Sequence, residues 1–210
     1  MARSTTRATT RDAALSEPLL VTTTLELIRR KGAAAVTMRD LAQELNVSTM
    51  AAYHHIRNKD ELLTRVGNAI WGAVEIPRPD TAPWHERLRY LVVAERDATK
   101  DYPGLYEELR HLVIFEKATL EDAQFDTLSE AGYSPARAVV MFRTLRSWIN
   151  GNAYLESALR DPGQRHPPAS WLKAQRLTFD HSIVPAKNAD DYFLEGLDLL
   201  LAGMRATPPG

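Results

Sequence analysis

Thr37 to Leu63 reads TMRDLAQELNVSTMAAYHHIRNKDELL, and local chemistry alone places three helix starts in it. Thr37 precedes Asp40 by three residues, the spacing of a capping box in which each side chain satisfies the other's backbone amide, so a helix is predicted from Met38. Leu41, Ala42 and Leu45 form its apolar side. Asn46 falls where the chain must turn through positive φ, which Asn tolerates better than most residues other than Gly. Val47 is placed to fill the angle between two helices, and Ser48 to cap the second, Thr49 to His55. Ala51 and Ala52 are small enough for close approach. Asn58, three residues before Glu61, caps another helix from Lys59. A capped helix, a tight turn and a second capped helix form the layout of a helix-turn-helix, whose second helix lies in the DNA major groove.

Upstream, Ser16 and Pro18 suit a helix start, Leu20, Val21, Thr24, Leu27 and Ile28 lie along one side, and Gly32 stops the helix. That helix braces the other two into a three-helix unit. Residues 1–15 are rich in Ser, Thr and Ala and carry Arg3, Arg7 and Arg11. They are expected to form a flexible basic arm, of the kind that reaches phosphates or the minor groove. Downstream, PRPDTAP from Pro77 is a linker by its prolines. Helices are predicted over Trp84–Thr99, Leu105–Phe115, Leu120–Ala131 (closed by Gly132), Pro135–Leu159 and Asp191–Arg205. Asp161–Ser170 reads as a loop and Trp171–Ser182 as a further helix. No segment has the alternating strand period and no long repeat is present, so the fold is expected to be all-α.

At 210 residues the chain can bury one good core or two small ones. It has no cysteine, which excludes disulfides, a thiol nucleophile and Cys-ligated zinc. Residues 1–70 carry ten Lys/Arg against seven Asp/Glu, and the remainder sixteen against twenty. The mildly basic N-terminal third fits a polyanionic partner. The first twenty residues hold no apolar run of signal-peptide type and no stretch is long enough to span a bilayer, so a cytoplasmic protein without a membrane partner is expected. Nucleophile-elbow, zinc-protease, P-loop and dinucleotide patterns are absent. His54 and His55 are adjacent, the wrong spacing for two metal ligands on one helix face, and His166 and His181 stand apart. No catalytic residue, metal site or cofactor is expected, and the chain does not read as an enzyme.

Arg39, Leu41-Ala42, Val47-Ser48, Tyr53, His55 and Asn58-Lys59-Asp60-Glu61-Leu62-Leu63 resemble the DNA-binding domain of the tetracycline-repressor (TetR) family of bacterial transcriptional regulators. The likeness runs from Leu20 to Leu63; Asn46 stands where the family usually has Gly, and Ala52 where it has a larger residue. It implies a helix-turn-helix domain over 16–63 and a helical ligand-binding and dimerisation domain over 64–210, joined by a linker helix at about 59–74. It also implies a homodimer on a palindromic double-stranded DNA operator, released by a small-molecule effector.

By the same resemblance, Arg39 reaches a base edge or phosphate, and Thr37 with the amides around it binds phosphate. Ser48, Thr49, Met50 and Ala51 lie at the reading end of the second helix. Tyr53, His54, His55 and Lys59 clamp phosphates, and His55 also reaches toward bases. The effector pocket draws on Leu91, Glu95, Leu105, Leu109, Phe142, Arg146, Trp148 and Asn150, with Arg146 and Asn150 as its polar pair. Leu105 to Leu109 contains no histidine, the first being His111, so magnesium-tetracycline is not the expected ligand; a hydrophobic or amphipathic molecule is. The long helix from Pro135 and the last helix pair with their copies in a four-helix bundle through Phe193, Leu194, Leu197, Leu200 and Leu201, and Gly196 and Gly203 allow close approach. Effector binding moves the linker helix and changes the separation of the two heads, a coupling of about 1–3 kcal/mol. A body that docks a protein in place of a small ligand remains an alternative, and the sign of regulation is open.

Overall fold

A computed structural model of the chain describes residues 15–160 and 189–208. The basic arm (apart from Leu15), the Asp161–Ser170 loop, the Trp171–Ser182 helix, His166 and His181 lie outside the described residues. The described residues form nine helices and no strand: α1 (Glu17–Lys31), α2 (Met38–Glu44), α3 (Thr49–His55), α4 (Lys59–Gly72), α5 (Trp84–Lys100), α6 (Leu105–Leu109), α7 (Phe115–Glu130), α8 (Pro135–Arg160) and α9 (Ala189–Ala206).

Around the helix-turn-helix each helix starts on its cap. The Ser16 hydroxyl accepts from the Leu19 amide at 3.4 Å, and Gly32 ends α1 at φ 80°. Thr37 and Asp40 form a reciprocal box: the Thr37 hydroxyl accepts from the Asp40 amide at 3.2 Å, and the Thr37 amide donates to the Asp40 carboxylate at 2.8 Å. Ser48 Oγ accepts from the Ala51 amide at 3.0 Å, and Asn58 Oδ1 from the Glu61 amide at 2.8 Å. Asn46 makes the turn at φ 53°. Helices of seven residues are too short to hold themselves in water, so packing holds them. Leu20, Ile28, Val36, Leu41, Ala52, Ile56, Leu62, Leu63 and Val66 are each at most 1% exposed.

Packing divides the described chain into two compact units. The first holds the residues as far as Ile76 together with Ala94–Glu121; the second holds Pro77–Val93 and the residues from Asp122 onward. In the first unit the turn before α6 lies against the end of α1: the Ala33 amide donates to the Pro103 carbonyl at 2.8 Å. Two glycines make this meeting possible, Gly32 at φ 80° and Gly104 at φ 72°, conformations that side chains with a Cβ rarely adopt. Trp71 is buried on α4 and donates its indole N–H to the Glu95 carbonyl at 3.2 Å.

The predicted Leu105–Phe115 helix is corrected by the structure. Only Leu105–Leu109 is helical; the Leu112 amide turns back to the Leu109 carbonyl at 3.0 Å, and α7 starts at Phe115, not Leu120. The apolar stripe misled because it is not one face. Val113 and Phe115 are exposed, whereas Ile114 between them is buried, its Cδ1 only 3.0 Å from where a Cβ on Gly67 would stand.

In the second unit, α8 and α9 pack with Leu88, Val92 and Leu128 around one core. Trp148 and Phe193 have ring centroids 4.8 Å apart, and a Cβ on Gly196 would lie 2.9 Å from the Trp148 ring. Gly196 is therefore where the indole sits on α9, whereas among the described residues nothing stands within 4 Å of a Cβ on Gly203. The Tyr133 hydroxyl donates to the Met204 carbonyl at 2.7 Å. Arg89 pairs with Asp198 at 2.7 Å, and the buried Arg87 pairs with Glu130.

Candidate nucleic-acid interface

The outward side of the recognition helix follows from its period. Residues at i, i+3 and i+4 share a face, and Met50, Tyr53 and His54 are all exposed, Met50 at 69%. Ser48 and Thr49 are exposed at the helix start, and His55 is half-buried at its end. Ala51 is a correction to the expected reading set: at 5% exposure it faces inward with Ala52 and packs the helix to the head. A helix of seven residues gives only part of its circumference to a groove, and two adjacent alanines mark the other part.

Charge sharpens this picture. Seven Lys and Arg lie between Glu17 and Gly72. Arg30 pairs with Glu44 at 2.8 Å and Lys31 with Asp40 at 2.5 Å. Arg57 and Arg65 share Glu61 at 3.0 and 2.7 Å. Arg29 lies 4.8 Å from the Tyr102 ring centroid and donates to its hydroxyl at 3.1 Å. Lys59 pairs with Glu108 at 3.0 Å and donates to the Ala34 carbonyl at 3.1 Å. Arg39, exposed near the start of α2, makes no hydrogen bond, ion pair or ring contact among the described residues. It is the one cation of the head that the described protein leaves unspent.

Two carboxylates serve the scaffold. The Lys31 ammonium, then the Thr37 hydroxyl and amide, hold Asp40 down to about 2. The Arg57 backbone amide, then the Arg65 and Arg57 guanidinium groups, hold Glu61 at about 2 as well. The Thr37 groups expected to meet phosphate are thus engaged: its amide and hydroxyl both donate to the same Asp40 oxygen, at 2.8 and 2.5 Å.

Comparison with known proteins gives this geometry its context. The family model "Bacterial regulatory proteins, tetR family" matches residues 20–66, and the "Tetracyclin repressor-like, C-terminal domain" matches residues 76–207. The chain belongs to the TetR family. A TetR relative, the class C tetracycline repressor protein from Escherichia coli, is 30% identical over 207 residues, covering 90% of each chain. Among solved TetR structures, a possible TetR family transcriptional regulator from Streptomyces coelicolor A3(2) superposes with a TM-score of 0.76 at 24% identity, covering 91% of this chain and 99% of that one. ActR of Streptomyces coelicolor, solved in complex with actinorhodin, superposes at 0.67, also with 24% identity, covering 91% of this chain and 97% of its own. TetR proteins are regulators of transcription and not enzymes, and this chain is a TetR-family transcriptional regulator.

The residues expected to line a TetR effector pocket fall in both units. Glu95, Leu105 and Leu109 are buried in the first. In the second, Leu91 is buried, Phe142, Arg146 and Trp148 are half-buried, and Asn150 is exposed. Phe142 meets Phe125 edge to face at 5.7 Å. Arg146 and Asn150 lie on one side of α8 by spacing.

The residues expected at the dimer seam also divide. Phe193, Leu197 and Leu201 are at most 5% exposed and belong to the core of their own chain, so within the subunit they hold α9 to α8. Leu194 and Leu200 are half-buried. Among the described residues, the large apolar groups left outward on these helices are Tyr192, Leu199, Val139 and Val140, with Leu199 76% exposed. Sequence reasoning missed these, and missed Tyr102 and Glu108 as partners of head cations. The outward stripe from Tyr192 to Leu199, seven apart on α9, was open to reading from its spacing; the distant partners leave no local spacing to read. Among the described residues no group of three or more His, Asp or Glu is arranged to hold a metal ion, and no helix is long and apolar enough to cross a membrane.

Proposed function

We propose that this protein is a repressor that binds a palindromic operator as a homodimer and leaves it when a hydrophobic or amphipathic small molecule binds its C-terminal part. The observation that carries the DNA-reading part is Arg39. Every other Lys or Arg of the described head has a carboxylate or ring partner, and Arg39 alone stands out to solvent beside a recognition helix that turns Thr49, Met50, Tyr53 and His54 outward. An uncommitted guanidinium forks readily onto guanine or phosphate. Ser48, Thr49 and Met50 add small or flexible surface for thymine methyl contact and shape, and Tyr53, His54 and His55 line the backbone. Dimerisation is supported by the outward apolar surface of α9 at Leu199, which is 76% exposed. A twofold pair of heads then reads half-sites about one helical turn apart or a multiple of it. Effector binding is supported by the match to the tetracycline-repressor C-terminal domain and by the likeness to ActR, which is solved with actinorhodin.

The test is fluorescence-anisotropy titration of the purified protein against the intergenic DNA beside its own coding sequence, over a salt series and with competitor. Tight, selective binding to a palindromic fragment is expected. Replacing Arg39 by Ala should weaken binding to that fragment about 10- to 100-fold and reduce its preference over scrambled DNA. Wild-type binding that competitor removes equally from every fragment would defeat the reading.

A further inference from the structure

The segment Tyr102–Glu108 reaches the head at Arg29, Ala33 and Lys59. Two of these contacts, the Ala33 amide on Pro103 and Arg29 on the Tyr102 ring and hydroxyl, involve no carboxylate. The contact at Lys59 differs in kind. Its ammonium lies 3.0 Å from a Glu108 oxygen and 3.1 Å from the Ala34 carbonyl, with both side chains of the ion pair about a third exposed (30% and 32%). Lys59 opens α4 directly after the Asn58 cap, four residues beyond the end of the recognition helix. On the DNA-binding reading above, on which this inference rests, that ammonium is also a phosphate contact. One ammonium then has two anionic suitors, a carboxylate of its own chain and a phosphate of the operator.

We propose that Glu108 is a positioning residue that sets operator affinity by competing with backbone phosphate for Lys59. An ion pair exposed by about a third is weak enough to be surrendered to DNA, yet surrendering it subtracts from the affinity gained. The same pair joins the start of α4 to α6, so a shift of α6 that withdraws Glu108 frees the lysine, and one that presses Glu108 closer withholds it. The contacts at Pro103 and Tyr102 do not offer this exchange, because they hold their partners without a negative charge.

The experiment uses the full chain, its selected operator fragment and three variants: Glu108→Gln, Lys59→Gln and the double replacement. Anisotropy titrations over a salt series give affinity and the slope of log K against log salt. With Lys59 present, Glu108→Gln is expected to tighten binding about three- to fivefold. Lys59→Gln should weaken binding to specific and scrambled DNA alike and reduce the slope by about 0.9. In the Lys59→Gln background, Glu108→Gln should change nothing. Glu108→Ala repeats the first measurement without the amide as a residual acceptor. Weaker binding by Glu108→Gln, no change in the Lys59 background, or the same change in both backgrounds overturns the inference, the first of these making the pair a plain strut of the head. Each of those results still leaves the wild type selecting its operator. A wild type without selective binding instead brings down the DNA-binding reading and this inference with it.

Discussion

The head between Thr37 and Asn58 and the α8–α9 pair are built by different ranges of interaction. In the head, Thr37 meets Asp40, Ser48 meets the Ala51 amide and Asn58 meets the Glu61 amide, all three residues apart. In the helix pair, Trp148 stacks on Phe193, Arg89 pairs with Asp198, and Tyr133 reaches Met204 across 71 positions of sequence. Both regions are helical, but one is specified by neighbours along the chain and the other by neighbours in space. The difference teaches where side-chain roles can be read in advance. Caps and turns announce themselves, whereas which stripe of a long helix faces inward depends on the partner that arrives later.

The comparison can be broken most sharply in α9, where the inward and outward stripes should respond differently. Phe193→Ala should lower unfolding free energy by about 3–5 kcal/mol in denaturant titrations, since a 1% exposed ring stacked on Trp148 leaves a cavity. Leu199→Asp, on the 76% exposed stripe, should instead dissociate the dimer in sedimentation velocity. A Leu199→Asp protein that sediments as a dimer would remove the outward stripe from the interface.

A smaller effect tests the local side. Thr37→Ala deletes one half of the capping box and should cost about 1 kcal/mol, with the Asp40 partner left to Lys31. Loss of several kcal/mol would mean that α2 depends on its cap far more than on its packing.

The smallest effect is in acid. Asp40 and Glu61 are both held at about 2 in the folded head, below the ordinary carboxylate range near 4. A depressed carboxyl stabilises the fold above its unfolded value, and that contribution is lost as pH falls from about 4 toward 2. Thermal midpoints should therefore decline across that window, and the double replacement Asp40→Asn and Glu61→Gln should flatten the decline. An unchanged slope would show that other carboxyls dominate acid unfolding.

Legibility follows the same division. The all-α class, the four helix starts near the head and the left-handed turn at Asn46 were readable because each rests on a cap, a proline or a conformational preference of one residue. Ala51 was misplaced because its small size suits a groove and a helix contact equally, and only burial decides. Phe193, Leu197 and Leu201 share the same ambiguity at larger scale: α9 has apolar residues on two sides, and the rings and leucines that fill its own core are indistinguishable by composition from those facing outward. Lys59 could be placed at a helix start but not beside Glu108, because no periodicity links residues forty-nine apart.

The meeting of Gly32 and Ala33 with the Pro103–Gly104 turn has a consequence for the order in which the protein is made. The helix-turn-helix leaves the ribosome before the segment that completes its unit, because Arg29 and Ala33 find these partners, and Lys59 its carboxylate, only once Tyr102 to Glu108 have been added. At ordinary rates of elongation the interval is on the order of seconds, long compared with the microseconds in which short helices form. For that time the nascent head has its caps and its turn but no seat, and Lys59 has no carboxylate from α6. The polypeptide acquires its helix-turn-helix earlier than the segment that completes the unit around it.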